Sequence, residues 1–147
     1  MTRRHAVLLF CLFALSLLSA CGKKEWPEPV LSEDRFTFKA IRAERKGGCL
    51  VVEVRVLGAV DNLSSLSVQL LEVGDGQDVG CPGCPFKPTR ADTYVPGQAG
   101  LTRIGSALRV SVCDLNPDGI YLWRVMAQNQ FPELGPVFSE LFSSWPK

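Results

Sequence analysis

The residues best equipped for chemistry in this chain are its cysteines. The segment VGCPGCPFKP, Val79 to Pro88, sets Cys81 and Cys84 in a Cys-x-x-Cys pair among prolines. Such a pair can exchange electrons as a dithiol, clasp a metal, or lock a loop as a disulfide. A redox pair usually opens a helix, whose N-terminal partial charge lowers the thiol pKa. Here Pro85 follows directly, which a first helical turn tolerates, but Pro88 would break the next turn. No apolar helical period follows either. Lys87 and Arg90 favour a thiolate only weakly. All-cysteine zinc sites normally use two such pairs, and this chain has one. The pair reads first as a staple across an irregular loop, with thiol–disulfide exchange as the alternative and a metal site third. So small a loop adds only about 2 kcal/mol in the chain-entropy account.

Other reactive groups are scarce. The single histidine is His5. A Ser-His-Asp or Cys-His centre cannot be built downstream of it, nor a histidine zinc site. Pro85 stands where a c-type haem motif needs histidine. Asp and Glu are scattered without a motif pair, and GDGQD lacks the ligand count of an EF-hand. No catalytic residue, cofactor or metal is expected.

The positioning elements begin with an address label. Thr2-Arg3-Arg4-His5 is a positive n-region, and AVLLFCLFALSLL, Ala6–Leu18, is a signal-length apolar run, short for a bilayer span. It ends in LSAC, with Cys21 last. This resembles the bacterial lipobox. The resemblance implies cleavage of residues 1–20 before Cys21 and acylation of Cys21, so that the chain is held to a membrane by its acyl chains. Two or three chains suffice for stable anchoring, where one holds only marginally. Gly22 after the cysteine implies a lipid-anchored place in the bacterial cell envelope, at the outer membrane and facing the periplasm. Loss of residues 1–20 from 147 leaves 127, one ordinary domain. Arg3 and Arg4 leave with them, so 14 Lys+Arg face 15 Asp+Glu and the net charge is −1. No basic stripe invites nucleic acid. A protein partner is the expected contact.

Residues 21–34 hold the lipidated cysteine and a polar tether, GKKEWPEPVLSED. Trp26 lies in it. From residue 35 to 147 the pattern is short strands. RFTFKAIRAE (35–44) opens and RKGG turns. CLVVEVRV (49–56) alternates Leu50, Val52, Val54 and Val56 against Glu53 and Arg55, the period of a half-buried strand. LSVQLLEV (66–73), SALRVSVCDL (106–115), IYLWRVMAQN (120–129) and PVFSELFSS (136–144) follow, with an irregular proline-rich stretch over 79–100. Such strands with Gly/Pro turns predict an all-β antiparallel sandwich.

LNPDGIYLWRVMAQN resembles the fibronectin type III signature at Leu115, Pro117, Tyr121, Val125, Ala127 and Asn129. The resemblance covers residues 106–141 and implies an immunoglobulin-like sandwich in which Tyr121 fills the core while its hydroxyl meets the preceding turn. The family's usual tryptophan on strand B is missing, and Trp123 is expected to fill that space. In that fold strands B and E are neighbours. Cys49 opens B, Cys113 closes E, and both point away from the inward side chains. The implied bridge is Cys49–Cys113, which leaves Cys81 to pair with Cys84. An oxidising compartment makes disulfides the default. Phe86 and Tyr94, in the stapled region, are the candidate contact aromatics, and Trp145 is expected to cap an edge. The function so expected is non-enzymatic binding or scaffolding through the 79–100 loop or a free strand edge. The alternative is a periplasmic thiol–disulfide protein using Cys81 and Cys84.

Overall fold

The computed structural model describes residues 31–74 and 85–146. Cys21, Cys81, Cys84, Trp26 and the signal segment lie outside the described residues.

Alternation dictates the strands. In β2 (Cys49–Gly58), Leu50, Val52, Val54 and Val56 are at most 4% exposed, while the residues between them face out. β7 (Ile120–Asn129) buries Tyr121, Trp123, Val125 and Ala127 in the same rhythm. β3 (Leu63–Val73) and β6 (Ala107–Val112) supply Leu66, Val68, Leu70 and Leu108, Val110, Val112. Branched and aromatic side chains on a pleated surface pack against same-face neighbours, which is what holds such strands.

The remaining strands are β1 (Phe36–Lys46), β4 (Arg90–Tyr94), β5 (Leu101–Ile104), β8 (Val137–Phe138) and β9 (Phe142–Ser144). They form two antiparallel sheets. One runs β1-β2-β6-β5; the other runs β4-β3-β7-β8, with β9 also on β7. The chain changes sheets after β2, β4 and β6, and the two inner faces make the core. This order is that of an immunoglobulin-like sandwich with one added edge strand. The all-β expectation therefore holds.

Three local expectations need correction. The 79–100 stretch is not irregular throughout: β4 pairs with β3, and the Arg90 guanidinium grips Asp92 through two bonds of 2.7 and 2.8 Å. PVFSELFSS is not one strand. Ser139 interrupts it, its backbone N–H donating to Val125 O and its Oγ accepting from Val125 N. The stretch assigned to a tether ends in a single helical turn, α1 (Leu31–Asp34). It is docked because the Asp34 carbonyl accepts from Asn62 and Asn129 side chains at 3.2 and 2.8 Å.

The bridge Cys49–Cys113 is present. Leu50 pairs with Val112, so the cysteines stand opposite each other one step further, their Cα atoms 4.0 Å apart. Tyr121 behaves as the signature implies. It is 5% exposed, and its hydroxyl accepts the Asn116 N–H at 2.9 Å. Tyr121→Phe strands that amide, and the expected loss is about 1–2 kcal/mol, read as a lower urea midpoint. An unchanged midpoint would mean water replaces the phenol at no cost.

Candidate functional site

A bulge in β1 builds the site. Phe36 and Phe38 pair with Gly58 and Val56; after the shift at Lys39, Ile41, Ala43 and Arg45 pair with Val54, Val52 and Leu50. Side chains alternate strictly along a strand, so one extra residue exchanges the faces beyond it. Arg45 is thereby turned onto the face of Leu50 and is 6% exposed. Nη2 donates to the Asn116 carbonyl at 2.9 Å, with longer contacts to Gly47 and Pro117, and the guanidinium lies 5.3 Å over the Tyr121 ring. Nε and Nη1 have no partner.

Two further polar atoms share that condition. Trp123, 2% exposed, stacks on Phe142 with centroids 4.7 Å apart, yet its Nε1 is unpartnered. Ser144 pairs with Tyr121 and is 8% exposed, and its Oγ is unpartnered. Among the described residues these four atoms are the only buried side-chain polar atoms without a hydrogen bond. Their three residues line one cavity of about 460 Å³, with Ala43, Glu44, Leu50, Phe142, Ser143 and Trp145. Native interiors pair nearly all such groups, so a cluster of exceptions in one cavity calls for a functional account. Trp145 stands at 63% exposure beside it, so it is not a closed edge cap. Lys46 is engaged by Glu44 at 3.5 Å, which leaves Arg45 as the buried cation of the site.

A second groove of about 390 Å³ continues along β1. Thr37 to Ile41 form one wall and Val137 to Phe142 the other, apart from Leu141. Phe142 lines both spaces. Together they form a cleft between the edge strand of one sheet and the broken last strand of the other. Among the described residues β1 pairs only with β2, and β8 and β9 only with β7. Both walls of the cleft are therefore strand edges.

Phe86 and Tyr94 are not brought together. Phe86 is half-buried on the outer face of the β4-β3-β7 sheet, under the Arg124 guanidinium at 5.1 Å. Arg124 also lies 4.5 Å over Phe138 and donates to Gln69 Oε1 at 2.8 Å. Tyr94 pairs with Leu66 and so takes the inner face, packing on the core. Its hydroxyl donates to Ser111 O of the opposite sheet at 2.9 Å. Burial pushes the Tyr94 phenol above its ordinary pKa, with Asp92 adding and Arg90 opposing. It therefore stays protonated as a donor and works as a strut between sheets.

Sequence reasoning missed Arg45 and Ser144 and read Trp123 only as core. A signal for Arg45 was present. The apolar spacing Phe36-Phe38-Ile41-Ala43 breaks its period of two once, as a bulge requires.

No protein-family model matches the chain, and no curated protein matches it. Among solved structures it is similar to a candidate carbohydrate-binding protein from Bacteroides uniformis, with 15% identity and a TM-score of 0.43. The likeness covers 75% of this chain and 56% of that one, so the chain spans little more than half the length of that protein.

Proposed function

We propose that this chain is a lipid-anchored, non-catalytic binding protein of a bacterial cell envelope, carried on one fibronectin type III-like domain. Its ligand enters the cleft between β1 and β9. The observation that carries this reading is that the three residues holding the four unpartnered buried polar atoms, Arg45, Trp123 and Ser144, all line one cavity. Each costs about 1–3 kcal/mol when left unpaired. A ligand that offers acceptors recovers that cost, whereas an apolar one does not. Such a concave site, mainly apolar with a few convergent polar groups, is the ordinary form of a ligand pocket. The chemistry of the lining favours binding over catalysis. Ser144 has no imidazole to activate it, because the one histidine is His5.

The anchor rests on LSAC at Leu18–Cys21 after the apolar run. The Cys49–Cys113 bridge supports an exported protein, since disulfides persist in oxidising compartments. Two measurements test the two halves. Cys21→Ala in the full chain, expressed in a bacterium, is expected to move the protein from the membrane to the soluble fraction. Continued membrane retention would sink the anchor. For the site, the Trp123 indole N–H resonance is followed while acetate, glycerol phosphate, glucose and short peptides are added in turn. At least one is expected to shift it in wild type and not in Arg45→Met. If none does, the cleft is not the binding site.

A further inference from the structure

Resting on that reading of the cleft, we propose that its ligand is an extended peptide segment ending in a free carboxylate. The carboxylate meets Arg45, Trp123 and Ser144, and the peptide backbone runs along the free edge of β1. Three features of the cleft carry this choice.

The first is the character of the buried end. Arg45 Nε, Arg45 Nη1 and Trp123 Nε1 can only donate, and Ser144 Oγ can donate too. An ionised carboxylate only accepts, at about four lone-pair sites. Donor and acceptor inventories therefore match in kind. Charge matches as well. Among the described residues Arg45 is the one buried cation, and Lys46 is already engaged by Glu44. A monoanion balances that site. A phosphate, at about −2 near pH 7, would bring excess charge toward the Glu44 carboxylate.

The second is length and direction. The walls run from Thr37 to Arg45 on β1, eight residue steps. At about 3.3 Å per residue this is about 26 Å of extended chain, enough for a strand of six to eight residues. The buried donors that lack a partner lie at the Arg45 end, so the ligand's terminus is placed there. The peptide then runs parallel to β1.

The third is the pair of edges. A strand edge carries a row of unpaired N–H and C=O groups, and peptides that add to such edges draw affinity from main-chain hydrogen bonds. A sugar chain has no matching repeat of donors and acceptors. Phe142 and the exposed Trp145 offer apolar surface for the residues next to the terminus.

The test uses the full chain, purified from membranes in detergent and labelled with 15N. The probes are a degenerate hexapeptide pool with free C-termini, the same pool with C-terminal amides, and a trimer of galacturonate. The readouts are the Arg45 Nε–H and Trp123 Nε1–H cross-peaks. The free-acid pool is expected to shift both. The amide pool should need at least tenfold more peptide for the same shift. Arg45→Met should abolish the difference between pools. Because the comparison of acid with amide is made on wild type, it stands even if that variant fails to fold. Equal shifts from the two pools would overturn terminal recognition. Shifts from galacturonate and from neither pool would overturn the peptide class and leave the cleft as a binding site. Silence from all three probes would overturn this inference and the cleft reading together.

Discussion

Replacing Cys49 and Cys113 together by Ala is expected to lower the stability of this protein by about 4 kcal/mol. The bridge joins residues 64 apart in sequence, so β3, β4 and β5 all lie inside the loop it closes. A cross-link of that span removes a large share of the freedom of the unfolded chain. The native state loses little by comparison. The two cysteines are half-buried and point away from the core, and Leu50 and Val112 beneath them remain paired by the ladder. The loss should therefore appear as a lower urea midpoint with a somewhat larger denaturant slope, since the uncrosslinked unfolded chain exposes more surface. Against a typical domain stability of about 5–15 kcal/mol, the variant would sit close to marginal. A loss under about 1 kcal/mol would mean that the unfolded chain is already compact around this pair and the entropic account fails here.

Trp123→Ala is expected to cost about 3–5 kcal/mol. Trp123 sits in the middle of β7, which pairs with β3 on one side and with β8 and β9 on the other. It is 2% exposed and stacked on Phe142. Truncation removes the stack and enlarges the neighbouring cavity of about 460 Å³ rather than allowing it to close. Trp123→Phe gives the informative contrast. It keeps a ring against Phe142 and deletes an N–H that has no partner in the unliganded protein. Its cost should therefore be about 1 kcal/mol, while the ligand response of the cleft weakens. Urea denaturation of both variants separates the effects. Equal losses in the two would show that the indole N–H is satisfied in solution, and the central premise of the site would fall.

Much of the frame was legible because its signals are local. The period-two runs in β2, β3, β6 and β7 specify strand and buried face together, since a slip by one residue would turn Leu50, Val52, Val54 and Val56 out to solvent. Tyr121 could be placed because the turn it bonds begins only five residues earlier, at Asn116. The edge strands were harder to read. β4 and β5 are five and four residues long, half-exposed or exposed, and poor in alternation, so only pairing with β3 and β6 defines them. The interruption at Ser139 depends on a hydroxyl bonded to Val125, fourteen residues away, and no local pattern announces it.

By itself, then, the sequence determined the sandwich, the absence of a histidine-based centre after residue 5, and the parity that lets Cys49 meet Cys113. These follow from residue type and short-range alternation. Only the tertiary structure decided where the candidate site lies. The bulge at Lys39 exchanged the faces of β1 and carried Arg45 inward. A carbonyl 71 residues away then took one of its nitrogens and left two without partners. Pairing with β7 brought Trp123 and Ser144 to the same cavity, and put Phe86 and Tyr94 on opposite faces of one sheet. A strand's alternation says which residues share a face. Which face meets which, and which buried atom goes without a partner, is settled by contacts between segments far apart in the chain.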